Sequence, residues 1–229
     1  HFSLVFYSQP HFPYSSSAPY YRRHHVAGSS SALAFGRDAA SDIPITTEAD
    51  KKQVEALYRA ALAETDDAVG RLLRRLEKRD RLNDTIIILS ADHGEGLYDC
   101  DTCAGHGDNL RGLVSVRVPL AFRLPKSKYP QFKPKTYNEF VSQLDIYPTV
   151  LSLLSEPQAA THEGIPLIDT RGQIKTLPER THFAETGEWL WATAWVPKER
   201  IEYPPITQIA TLEDHRIVID DAYTGIIRA

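Results

Sequence analysis

The chain has no methionine and only two cysteines among 229 residues. That excludes a disulfide-built scaffold and a four-cysteine zinc site. No apolar run approaches the roughly 18 residues that a bilayer-spanning helix needs, and no charged-then-apolar leader opens the sequence. Basic surplus is lacking too: Lys and Arg total 26 against 30 Asp and Glu, the formal net charge is -4 and the pI is near 6.1. This balance argues against nucleic acid or a membrane surface as the main partner. What remains is an ordinary globular composition, 42% apolar and 24% charged, in a length suited to one sizeable domain.

His1 is followed at once by Phe2-Ser3-Leu4-Val5-Phe6-Tyr7, so the sequence opens inside what reads as a strand over 1–8. A preceding segment is therefore expected, with room for a signal peptide or a membrane anchor. Residues 9–46, rich in Ser, Pro, Tyr and His, read as an irregular segment far longer than an ordinary loop; such segments are commonly functional or disordered. Thr46 or Thr47 then caps a helix whose apolar stripe runs through Val54, Leu57, Ala61, Val69, Leu72, Leu73 and Leu76 and which ends near Arg79. A strand over 85–91, a polar Gly-rich loop over 94–112, a strand over 118–124 and a helix over 139–154 interrupted by Pro148 follow. Short strands at 181–185 and 215–220 are expected to close the sheet. The order strand, helix, strand favours an α/β sandwich with a largely parallel sheet.

The chemistry concentrates where Thr85-Ile86-Ile87-Ile88-Leu89-Ser90 runs into Ala91-Asp92-His93-Gly94-Glu95-Gly96. An apolar β-branched run reads as a buried strand, and ligands collect beyond the carboxyl ends of strands in open α/β sheets. Asp92 and His93 are thus candidate metal ligands; the bland alternatives are a turn cap for Asp92 and a packed, backbone-satisfied imidazole for His93. His11 lies among prolines and aromatics, where loop packing competes with a role in binding. His106, between Gly105 and Gly107, is either a site residue or a flexible exposed one. Glu95 reads as a solvated acid or one that supports a ligand, and Asp145 as the cap of the following helix.

The ordered set Pro10-His11-Phe12-Pro13-Tyr14, Asp66 and Gly70 on a long helix, Asn83-Asp84-Thr85, Ser90-Ala91-Asp92-His93-Gly94-Glu95, Gly105-His106-Gly107, Arg117-Val118-Pro119-Leu120 and Asp145-Ile146-Tyr147-Pro148-Thr149 resembles the sulfatase branch of the alkaline phosphatase superfamily. The likeness covers roughly residues 1–155. It implies a partial alkaline phosphatase-like α/β domain, with residues 156–229 completing the sheet and forming a small C-terminal subdomain. It also implies a hydrolase of sulfate esters, or phosphate esters, at a divalent cation: calcium, with zinc or manganese as alternatives. Asp92 and His93 match the family's last metal ligands, a hard carboxylate oxygen and an imidazole nitrogen. His11 and His106 match the histidines that contact the ester oxygens.

The sequence departs from the family at one decisive place. Neither Cys100 nor Cys103, nor any serine, lies in the Cys/Ser-x-Pro-x-Arg pattern that carries the nucleophile, and the earlier aspartate pair is absent. The expectation is that this chain is the C-terminal portion of the enzyme, inactive alone, with the nucleophile upstream. Alternatives are a phosphoryl-type member, either a phosphodiesterase or a phosphoethanolamine or phosphoglycerol transferase, and a catalytically silent binding domain. Cys100 and Cys103 read as a short-range disulfide, with a redox pair, half a zinc site and free thiols as alternatives; a disulfide places the protein outside the cytoplasm. The basic, aromatic run Tyr20 to His25 reads as a solvated loop or a contact for an anionic substrate. Trp189, Trp191 and Trp195 read as a packed edge or a wall over a sugar.

Overall fold

Thr47 starts the longest element. In a computed structural model of the chain, its hydroxyl accepts from the Asp50 N–H at 3.1 Å while the Asp50 carboxylate accepts from the Thr47 N–H at 3.2 Å, a reciprocal capping box. The structure describes residues 1–33, 47–99, 104–106, 110, 114–159, 161–187, 206–213, 216–221 and 226–228. Cys100, Cys103, Trp189, Trp191 and Trp195 lie outside the described residues, as do most of the positions expected to form the end of the loop before the long helix. The chain divides into two compact units, residues 1–79 with 95–106, and residues 80–94 with 107–229. Among the described residues no helix is long and apolar enough to cross a membrane.

The first unit is built on α1 (Tyr20–Arg23) and α2 (Glu48–Glu77), with a short ladder of β2 (Gly96–Leu97) against β3 (Ala104–Gly105). In α2 the residues 50, 53, 54, 57, 60 and 61 are buried, the i, i+3, i+4 stripe of a helix lying on a core. Two of those buried positions are polar because they fasten the preceding segment. Asp50 accepts from the Ser30 N–H at 2.8 Å, and Gln53 accepts from the Val26 N–H at 2.7 Å and donates to the Leu33 carbonyl at 3.2 Å. Farther along α2, Glu64 accepts from the Ser17 N–H and hydroxyl at 2.9 and 2.6 Å, and Asp67 accepts from the Tyr20 hydroxyl. The irregular stretch is thus ordered by side chains of the helix rather than by a ladder of its own. Residues 1–8, expected as a strand, pair with no strand among the described residues of this unit, and Phe2, Leu4 and Phe6 are exposed. Extended backbone becomes a strand only when its N–H and C=O groups find a partner chain.

The second unit pairs β1 (Ile87–Ser90) with β4 (Leu120–Arg123), Ile87 opposite Arg123 and Ser90 opposite Leu120. Leu124, Tyr129, Leu153, Leu167 and Ile168 form its buried core, with Ile86, Leu120 and Phe122 against it. Within the sheet expected to be largely parallel, this pair departs: β1 and β4 run antiparallel. A parallel return needs a crossover, usually a helix, and the described residues between these strands contain none. β1 is also less buried than its apolar sequence suggests, because it lies in a two-stranded ladder: Leu89 is 41% exposed.

The helix expected over 139–154 begins only at Ile146, as α3 (Ile146–Leu154), after a 3-10 turn at Gln143–Asp145. Pro148 does not interrupt it. As the third helical residue it occupies a first turn whose N–H groups have no intrahelical acceptor. Asp145 does not cap α3 through its side chain. It is fully buried, pairs with both terminal nitrogens of Arg180, and accepts from the Ile165 N–H at 2.9 Å and the Ser142 N–H at 2.8 Å. The strands expected to close the sheet exist, as β5 (His182–Gly187) and β7 (Arg216–Asp221), but they belong to a separate sheet. It has the antiparallel order β5-β6-β7-β8, with β6 at Ile206–Glu213 and β8 at Ile226–Arg228. Two residues separate β6 from β7, a spacing that favours hairpin pairing of sequence neighbours.

Candidate functional site

Asp92 and His93 follow β1 directly, in the turn that its C-terminal end feeds. Their backbone is held from two sides. The Gln143 side-chain amide donates to the carbonyls of Ala91 and, at 3.3 Å, Asp92, and the Gly94 N–H donates to the Ser115 carbonyl at 2.8 Å. Gly94 is required by close approach: an added Cβ would lie 1.8 Å from the Val114 carbonyl oxygen, inside any van der Waals limit.

The side chains are arranged around the same turn. The His93 N–H donates to Asp92 Oδ1 at 3.1 Å, and His93 Nδ1 lies 2.8 Å from the Gly94 carbonyl oxygen. Because a carbonyl only accepts, Nδ1 carries a hydrogen and Nε2 is the ring nitrogen on the Asp92 side. Nε2 is 3.7 Å from Asp92 Oδ2. Two donors on one calcium at right angles stand about 3.5 Å apart, given ligand distances of roughly 2.3 to 2.6 Å. The donor pair therefore fits a divalent cation in chemistry and spacing, with the backbone carbonyl orienting the imidazole as such carbonyls commonly do.

His11 and His106 are brought together in the first unit. Their rings meet edge to face with centroids 5.1 Å apart. His11 Nδ1 lies 2.6 Å from the Phe12 carbonyl oxygen, and the residue lines a cavity of about 360 Å³ with Ser8, Gln9, Phe12, Pro13 and Ser15. His106 is placed by the β2–β3 ladder. The register sets Gly96 opposite Gly105, and one further antiparallel step sets Glu95 across from His106. Accordingly His106 Nδ1 lies 3.1 Å from Glu95 Oε2, with the Glu95 side chain only 5% exposed.

Tyr14 carries no role in the sequence reading, and Glu95 reads there as a solvated acid or one that supports a ligand. Glu95 is a buried acid, not a solvated one, and its Oε1 accepts from the Tyr14 hydroxyl at 2.8 Å. Tyr14 is itself fully buried and its backbone is left-handed, φ 60°, an uncommon conformation for a bulky side chain. Its ring stands nearly perpendicular to those of Phe12 and Tyr58, with centroids 5.5 and 5.6 Å away. Burial, and then the nearby Glu95 carboxylate, push the Tyr58 phenol up from its ordinary value. The available signal was positional: Tyr14 closes the Pro-His-x-Pro-Tyr run and Glu95 follows Asp-His-Gly.

The profile of the family described as Sulfatase matches residues 1–156. Arylsulfatase K of Danio rerio is 34% identical over 130 residues, covering 53% of this chain and 23% of that protein. The multifunctional alkaline phosphatase superfamily protein PehA of Trinickia caryophylli is 28% identical over 134 residues, covering 58% of the chain and 25% of that protein. The chain thus spans about a quarter of the length of these curated relatives. Among solved structures, the phosphonate monoester hydrolase of Agrobacterium radiobacter superposes with a TM-score of 0.70 at 23% identity, covering 93% of this chain and 47% of that one. The fold is therefore the alkaline phosphatase-like α/β type, present in part, and the chain belongs to the sulfatase family.

Proposed function

We propose that the protein to which this chain contributes hydrolyses sulfuric esters at a divalent cation held in part by Asp92 and His93. The observation that carries this reading is the family match over residues 1–156. In support, the residues that the family motif pairs as ester contacts, His11 and His106, are 5.1 Å apart between ring centroids. A bound cation would orient the nucleophile and polarise a sulfuryl oxygen. The Gly94 carbonyl accepts from His93 Nδ1 and so sets Nε2, 3.7 Å from Asp92 Oδ2, as the nitrogen that would meet the ion. His11 and His106 contact the ester oxygens, and His106 supplies a proton or charge as the leaving group departs.

The nucleophile is assigned to residues outside this chain, since none of its cysteines or serines has the family's nucleophile pattern; alone, the chain is inactive. Calcium is the preferred ion, with zinc or manganese as alternatives. We place the protein outside the cytoplasm, where the disulfide expected from the Cys100 and Cys103 spacing would persist. A phosphoryl-ester substrate is the second reading, kept by the likeness to a relative described as multifunctional. Turnover of an aryl sulfate and an aryl phosphate by the full-length protein tests the assignment. Preferential sulfate hydrolysis is expected, preferential phosphate cleavage selects the second reading, and no turnover with no bound metal indicates a silent relative.

A further inference from the structure

We infer that Glu95, oriented by the buried Tyr14 hydroxyl, is a positioning residue that fixes His106 in the tautomer with its ester-facing chemistry on Nε2. This rests on the reading of His106 as an ester contact. The two oxygens of the Glu95 carboxylate have different partners. Oε1 accepts from the Tyr14 hydroxyl at 2.8 Å and Oε2 faces His106 Nδ1 at 3.1 Å. With Oε1 accepting from the Tyr14 hydroxyl, Oε2 accepts from the His106 Nδ1–H, which turns Nε2 away from the carboxylate and gives it the ester-facing role. Tyr14 is fully buried, and its ring stands edge-on to those of Phe12 and Tyr58. The ladder register fixes the backbone of Glu95 and His106 at the same time. Side chain and main chain therefore agree on one orientation of the imidazole, the preorganisation that a proton-transfer group needs.

The step this serves balances simply. As the nucleophile assigned outside this chain bonds to sulfur, the S–O bond to the leaving group breaks and its bonding pair departs with the ester oxygen, which takes the proton from His106 Nε2. His106 keeps its other hydrogen on Nδ1, still donated to Glu95. Glutamine at 95 cannot accept at both ends, so it must either reverse the Tyr14 hydroxyl or donate to Nδ1 and move the imidazole hydrogen to Nε2.

The test uses the full-length protein with Glu95→Gln, Glu95→Asp and Tyr14→Phe, a series of aryl sulfates whose leaving phenols differ in acidity, and metal analysis of each variant. General acid catalysis contributes about 10²-fold or more where the leaving group is poor. Glu95→Gln should therefore lose kcat by about 10²-fold on the least acidic phenol and far less on the most acidic. Metal content should be unchanged, Glu95→Asp should recover part of the loss, and Tyr14→Phe should steepen the leaving-group dependence to a smaller degree. An equal loss across the series would make Glu95 merely structural, and loss of metal would make it a ligand; either result overturns the inference. His106→Ala separates this from failure of the parent reading. If that variant turns over the whole series like wild type, His106 is not an ester contact; if it is impaired while Glu95→Gln behaves as wild type, the inference about Glu95 alone fails.

Discussion

His106 stands edge-on to His11, ring centroids 5.1 Å apart, although all of α2 and β1 lies between them in the sequence. A donor to a departing ester oxygen, the role proposed for His106, contributes about 10²- to 10³-fold. In the full-length protein His106→Ala is accordingly expected to lower kcat about 10²-fold with metal content unchanged. Loss of the metal instead would move His106 from ester contact to ligand.

Gly94 tests whether the turn carrying the proposed ligands depends on close backbone approach. Gly94→Ala places a Cβ 1.8 Å from the Val114 carbonyl oxygen, and main chain cannot rotate aside as a side chain tip can. Overpacking of this kind costs about 1 to 3 kcal/mol. The variant should unfold at a lower temperature and bind the cation more weakly. Metal affinity equal to wild type would show that the turn relaxes without disturbing Asp92 and His93.

The Asp145–Arg180 pair is expected to dominate the acid sensitivity of the second unit. Burial by itself would raise the Asp145 pKa, but hydrogen bonds from the Arg180 guanidinium and from the N–H groups of Ile165 and Ser142 hold it below the ordinary carboxylate value of 3.8. The unfolded chain then binds the proton more readily than the folded one. The stabilisation is complete above about pH 4 and disappears as pH falls through the lower, folded value. Arg180→Ala leaves a buried carboxylate unpaired, at a cost of about 3 kcal/mol near neutrality. Denaturant unfolding at neutral and acid pH reads this directly: the gap between wild type and variant should narrow below about pH 4, and a constant gap would contradict the assignment.

Local chemistry made some of this architecture readable in the sequence. The capping box at Thr47, the apolar period of α2 and the β-branched run before Asp92 each depend on residues within one or two turns, so α2 and β1 were legible to within a few residues. The pairing of β1 with β4 and the separate sheet β5-β6-β7-β8 depend on partners chosen across the fold, which strand patterning does not specify. The order imposed on the segment before α2 was hidden for the same reason. It rests on Asp50, Gln53, Glu64 and Asp67, which look like the ordinary polar residues of a helix. At the candidate site, Asp92, His93, His11 and His106 were named from motif order. The burial of Glu95 and its bond to Tyr14 required the β2–β3 register, set by a ladder of two pairs.

The most direct measurement is the metal content and aryl sulfate turnover of the full-length protein with Asp92→Ala beside wild type. Asp92 is exposed in its turn, so the substitution removes a proposed ligand without opening a core cavity. The account predicts that the variant folds, loses the divalent cation and loses turnover together. A folded variant that keeps both metal and wild-type turnover would contradict the assignment of Asp92, and with it the proposed role of this turn.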